Sequence, residues 1–239
     1  MFSTLSNVQR LSSLLLILCF LLISTTKAQE ISYTLKKGEV FDLLLVTNQP
    51  TGKEVFKNYR AEAFPVAVEK GYSFLSGFKI TETLEGDIHP EGAIFGKWKS
   101  LADRQEFLKI ITTRVPDFHK MRKEIWYYFT VKYYEIEQDL HFNLDPEKVI
   151  VATTYWQKEG ASSEFENFIA KVKSLIETTG GSLKLAFNKG YSPEGYEYNP
   201  DYLILTQWDN KEDFDRFIKD SSTMDSTMLQ TLHQFMFGK

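Results

Sequence analysis

The chain has 239 residues, with 28 Lys and Arg against 32 Asp and Glu, a formal charge of −4 and a single cysteine. One cysteine excludes an intrachain disulfide framework. Mild acidity gives no electrostatic footprint for nucleic acid or an anionic membrane, so neither is expected as a partner.

Residues 1–28 read as a secretory signal. Arg10 precedes an apolar stretch, Leu14–Ile23, and the segment closes on Thr26-Lys27-Ala28. The apolar core is too short to cross a bilayer of about 30 Å as a helix. Cleavage after Ala28 is expected. It removes Arg10, Lys27 and Cys19 but no acid, taking the charge from −4 to −6 and leaving no thiol. The mature chain, 29–239, is then an exported protein, periplasmic or secreted, and no later stretch is apolar enough to span a membrane. It is long enough to bury a core without cross-links.

Residues 29–37 form an N-terminal segment in which Ile31, Tyr33 and Leu35 alternate. A first unit follows over 38–137. Val40–Asn48 is an apolar run of the kind a strand buried on both faces shows. Phe56, Tyr59, Ala63, Val66 and Ala67 recur at helical spacing, and Gly71 stops that helix. Residues 73–84 and 93–99 make a hairpin about the turn Glu85-Gly86-Asp87-Ile88-His89-Pro90. Ser100 opens a second helix, with Asp103 in its first turn where the helix dipole favours a carboxylate. Trp126–Ile136 alternates and supplies a fourth strand.

After a linker, 138–147, the pattern returns over 148–239. A shift of 110 lays Trp98 on Trp208, Asp103 on Asp213, Phe107 on Phe217, Pro90 on Pro200 and Gly71 on Gly181. The same shift places Val40–Val46 over Ile150–Trp156. One ungapped register over so long a stretch marks two copies of one unit. Each copy reads β-α-β-β-α, the split order of a ferredoxin-like fold. The expected fold is therefore α+β: two tandem ferredoxin-like repeats packed sheet to sheet as a pseudo-dimeric α+β barrel. Each sheet carries helices on one face only and must hide the other. At a shift of 110 the second copy runs out before its fourth strand, and residues 31–37 are expected to fill that place.

The segment TLEGDIHPEGAIFGKWKSLADRQEFL resembles the signature of the domain-of-unknown-function family 1330, in the dimeric α+β barrel superfamily. That signature reads Glu-Gly-Asp-Trp-x-Pro, then a short strand and a Ser-led helix. Glu85, Gly86, Asp87, Pro90 and Ser100 match, and Ile88 stands in place of the tryptophan. The second copy lacks the motif. The resemblance implies the paired-sheet fold. Superfamily relatives include cofactor-free oxygenases, haem-degrading enzymes and lactone isomerases, beside proteins without known catalysis.

Two histidines are candidate catalytic residues. His89, two residues after Asp87, is a general base with its tautomer set by the carboxylate, or else a turn residue held extended by Pro90. The second copy has Asn199 there. His119 stands on the second helix, where haem-degrading relatives carry a histidine, but 21 residues after Trp98, about twice the interval in those enzymes. Its alternative is an exposed helix histidine among Lys120, Arg122 and Lys123. No metal-ligand spacing, phosphate loop, dinucleotide fingerprint or nucleophile elbow occurs, so neither metal nor cofactor is expected. Trp98, Tyr59, Trp208 and Tyr155 are candidates to line an apolar cleft in each half, or else to fill the space between the layers.

Two functions from different classes follow. One is non-catalytic binding of a small apolar molecule, or a structural or stress-related role. The other is a cofactor-independent oxygenase or isomerase acting on a small aromatic or lactone substrate. The pseudo-dimer is expected to be a monomer or to associate further as a homo-oligomer.

Overall fold

The computed structural model describes residues 29–238, and the stretch read as a secretory signal, 1–28, lies outside the described residues. The first half contains β2 (Val40–Asn48), α1 (Gly52–Glu69), β3 (Ser73–Glu85), β4 (Gly92–Trp98), α2 (Leu101–Arg114), α3 (Phe118–Ile125) and β5 (Trp126–Glu135). The second contains β7 (Val149–Gln157), α4 (Ser162–Thr178), β8 (Gly181–Asn188), β9 (Tyr202–Trp208), α5 (Lys211–Ser221) and β10 (Leu229–Gly238). Two short strands, β1 (Ile31–Leu35) and β6 (Leu140–Leu144), stand apart from these. No helix of the described residues is long and apolar enough to cross a membrane.

The main strands form one eight-stranded antiparallel sheet, ordered β5-β2-β4-β3-β10-β7-β9-β8. Each half contributes the same four-strand order, so the fold is the duplicated ferredoxin-like α+β barrel. Its interior collects Phe41, Leu43, Leu45, Phe78 and Phe95 from one half and Ile150, Leu185, Leu203, Leu205 and Phe235 from the other. Two further cores lie outside the barrel, one beneath α1–α3 and one beneath α4 and α5. The sheet curls until its outer strands approach, and Tyr134 of β5 stacks on Phe187 of β8 at 4.9 Å. The loop after β8 closes this second seam, with Tyr191 exchanging backbone bonds with Tyr133 at 2.8 Å and Tyr196 accepting from Val131 at 3.0 Å.

Three expectations are corrected. The fourth strand of the second copy is β10, within the chain, so 31–37 does not add to that sheet. Instead β1 pairs antiparallel with β6, inside the segment read as a linker. This ribbon brings Tyr33, Leu35, Phe142 and Leu144 into the barrel core. The 110 shift also slips at the first strand. Trp98 faces Val40 and Trp208 faces Val149, a shift of 109 there, so Asp42 corresponds to Val151.

The Glu85–Pro90 turn meets the second half at the β3–β10 seam. His233, 6% exposed on β10, places Nε2 3.0 Å from Asp87 Oδ1. Its Nδ1 lies 3.2 Å from Tyr198 Oη, itself 2.7 Å from Thr154 Oγ1. Gly86 has φ +109°, and a Cβ there would come within 2.5 Å of the His233 ring. The turn glycine is thus required twice, by backbone conformation and by the histidine it covers.

Gly86→Ala is expected to lower unfolding stability by at least about 1–2 kcal/mol, measured by urea denaturation. Burial pushes the His233 pKa below its ordinary 6.5, and the Asp87 carboxylate only partly opposes that. The unfolded chain therefore takes up a proton first as pH falls. Stability should drop from about pH 6.5 downward and level off below the native pKa. His233→Gln should flatten that stretch of the stability–pH curve relative to the parent.

Candidate functional site

Strand β2 directs alternate residues to the barrel and to the helices. Asp42 faces the helices, 3% exposed, in an otherwise apolar run. Two neighbours hold it there. Trp98, ending β4, donates Nε1–H to Oδ2 at 2.9 Å. Arg104, on α2, donates from Nε to Oδ1 and Oδ2 at 3.2 and 3.1 Å. Helix α2 is placed by Ser100, whose hydroxyl accepts from the Asp103 amide at 3.1 Å. The guanidinium lies 4.9 Å over Trp98 and 4.8 Å over Tyr133. Its Nη1 is buried and has no hydrogen-bond partner. Burial pushes the Asp42 carboxyl up, against the lowering pull of Arg104 and the Trp98 hydrogen bond.

Val115-Pro116 ends α2, because the residue before a proline is driven out of the helical region, and Val115 has φ −135° and ψ 83°. The chain restarts as α3, which delivers Arg122. That guanidinium lies 4.1 Å over Phe118 and 4.4 Å over Phe129, and its Nε donates to Tyr59 Oη at 3.2 Å. No carboxylate forms an ion pair with it among the described residues.

Between α1 and the sheet these groups face a cavity of about 170 Å³. Leu44, Ile94, Ala63, Ala67, Phe107 and Trp126 complete its walls. Phe56, Phe64 and Phe74 also line it and are exposed, marking its mouth. Tyr72 leans across β4 because Gly96 has no side chain, since a Cβ there would lie 2.5 Å from the ring.

Of the aromatic candidates, Trp98 and Tyr59 line this cleft. Trp208 and Tyr155 do not, being packed in the core beneath α4 and α5. The reason is substitution at matching positions. Val151, Phe214 and Met236 occupy the places of Asp42, Arg104 and Tyr133. Phe214 sits 4.9 Å from Trp208, as Arg104 sits over Trp98. With valine opposite, Trp208 Nε1 is buried without a partner.

The candidate histidines stand elsewhere. His89 is exposed on the turn and His119 is exposed on α3, and neither lines the cleft. His119 Nδ1 lies 2.6 Å from Tyr196 Oη, and partial burial, then Arg122 and Lys123, lower its pKa. No group of His, Cys, Asp and Glu suited to a metal occurs among the described residues. Asp42, Arg104 and Arg122 were not anticipated from the sequence.

A second, wider cleft lies against α4, with Lys132, Lys173, Asn199 and Asp201 in its wall. Lys132 is 4% exposed, with Nζ 3.5 Å from Asn199 Oδ1. Burial lowers its pKa to about 8, partly opposed by Asp201. A base depressed in the native state weakens the fold while its unfolded counterpart holds a proton. Stability should therefore gain on raising pH from about 8 towards 10.5. Lys132→Met should raise stability at pH 7 by about 1–3 kcal/mol and remove that gain, read from denaturation at several pH values.

No protein-family model matches the chain, and no curated protein matches it. Solved structures of similar fold do. A proposed monooxygenase of Lactobacillus acidophilus NCFM is 13% identical, with a TM-score of 0.40 over 84% of this chain and 93% of that one. A variant of chlorite dismutase from Candidatus Nitrospira defluvii is 8% identical, with a TM-score of 0.49 over 86% and 93%. A proposed monooxygenase of Fusobacterium nucleatum is 10% identical, with a TM-score of 0.41 over 85% and 93%. The likeness is one of fold and carries nothing about what this chain binds or does.

Proposed function

We propose that the protein is exported and binds a small, flat, apolar molecule in the first-half cleft without transforming it. The observation that carries this reading is the contrast between two copies of one unit. The second copy fills the space beneath its helices with Phe214 and Val151, whereas the first keeps an aromatic-walled cavity beneath α1. Close packing is the default of protein interiors, so a cavity kept open beside Trp98 where the matching space beside Trp208 is filled calls for an occupant. The family-1330 resemblance of Glu85, Gly86, Asp87 and Pro90 fits this reading without adding chemistry. In the structure, Gly86 and Asp87 serve the seam at His233.

A cofactor-independent oxygenase or isomerase would need a base over the cavity. His89 and His119 lie outside it. Asp42 has both oxygens engaged by Trp98 and Arg104, and burial raises the Tyr72 hydroxyl further above its ordinary pKa. These groups suit holding better than proton abstraction.

Ala63, buried on α1, forms part of the cleft wall. Ala63→Leu should fill the cavity and weaken binding of single-ring aromatics by at least about tenfold, followed by quenching of the Trp98 and Trp126 emission. Stability should change by less than about 1–2 kcal/mol, because the added atoms enter empty space. Unaltered binding would place the occupant elsewhere.

A further inference from the structure

We propose that the molecule held in the first-half cleft is a small aromatic monoanion, its acidic group drawn to Arg104 and Arg122. This rests on the cleft reading above, keeping its flat apolar ring and adding to it one acidic group. The first support is charge. Three charged side chains line the cavity, Asp42, Arg104 and Arg122, which leaves one positive charge in excess. Arg122 is held chiefly by ring faces, Phe118, Phe129 and, at 4.9 Å, Tyr196. Cation–π contact steadies a guanidinium without neutralising it. At 7% exposure, that charge is incompletely compensated by the protein.

The second support is an unused donor. Arg104 is 3% exposed and spends its Nε on Asp42, yet its Nη1 has no acceptor. Buried guanidinium donors are normally satisfied, so an orphan on a residue that lines the cavity is a donor for which the protein supplies no acceptor. Asp42 fixes the guanidinium through Nε, so the arginine meets its ligand pre-oriented.

The third support is internal comparison. A buried ion pair is seldom the more stable choice over apolar residues of similar volume. This chain shows that alternative at the matching positions, Val151 and Phe214, inside a well-packed core. Stability alone therefore does not account for Asp42 and Arg104. The cavity of about 170 Å³ sets the size, because an apolar cavity of about 150 Å³ accepts benzene. One aromatic ring with one carboxylate or similar acidic substituent fits both volume and charge.

The test uses three probes, benzoate, its neutral isostere benzamide, and ringless acetate, titrated by calorimetry against the mature protein. Benzoate is expected to bind at least ten times more tightly than benzamide, and acetate at least ten times more weakly than benzoate. Two variants locate the effect. The double variant Asp42→Val with Arg104→Phe installs the second copy's pair and should lose the preference for benzoate. Arg122→Gln leaves the Asp42–Arg104 pair intact and should reduce that preference, so it serves if the double variant does not fold. Benzamide binding as well as benzoate, or a preference for benzoate that survives in Arg122→Gln and in a folded double variant, overturns the anion assignment and leaves the cleft reading standing. Failure of both ring probes to bind the parent at millimolar concentration sinks the cleft reading, and this proposal with it.

Discussion

The structure depends on an imbalance in its building block. A ferredoxin-like unit places both helices on one face of its sheet, and the opposite face of each half is lined by residues such as Phe41, Leu43 and Phe95 or Ile150, Leu203 and Leu205. Water cannot be left on such a surface without a large loss of hydrophobic stabilisation, at roughly 25 cal/mol per Å² exposed. Joining two units in one chain lets each cover the other and makes the barrel interior the main core. The β1–β6 ribbon, the loop after β8 and the His233 contact of the Gly86 turn all belong to finishing that enclosure.

Once the barrel is secured by both halves, the outer layers are free to differ. Around Trp208, beneath α4 and α5, the chain packs apolar groups such as Val151, Phe214 and Phe217. Beneath α1 to α3 it embeds an aspartate and two arginines among aromatic rings. The difference is concentrated in few positions, Asp42 against Val151 and Arg104 against Phe214, together with the extra helix α3 that carries Arg122. A duplicated scaffold thus keeps one copy as structural ballast and lets the other carry polar groups that a packed core would reject.

The architecture was legible because periodicity reports burial directly. Phe165, Phe168, Ile169, Val172 and Ile176 all fall on the buried face of α4, and both N-caps, Ser100 and Asn210, hold their Asp103 and Asp213 amides. The fourth strand of the second copy was missed for a traceable reason. The first half inserts α3 before β5, so β10 matches β5 at a shift of 103 rather than 110 and lies inside the chain. The site was harder to read. Histidines drew attention by residue type, yet His89 and His119 are exposed. The useful signals were an acid inside an apolar strand, at Asp42, and an arginine aligned with Phe214. Neither carries meaning until strand facing is known, and the one-residue slip at β2 and β7 concealed the match of Asp42 to Val151.

The last strand of the chain occupies a central position in the sheet. β10 lies between β3 and β7, and its pairing with β3 is the ladder that joins the two four-strand sets. During synthesis, β3 must therefore keep one edge unpaired until every other described strand has emerged. Such pairings between distant parts of a chain form slowly, and an edge left open in the meantime invites pairing with other molecules. Closure of the β3–β10 seam is accordingly a late step in assembling this barrel, because β10 follows every other described strand in the chain.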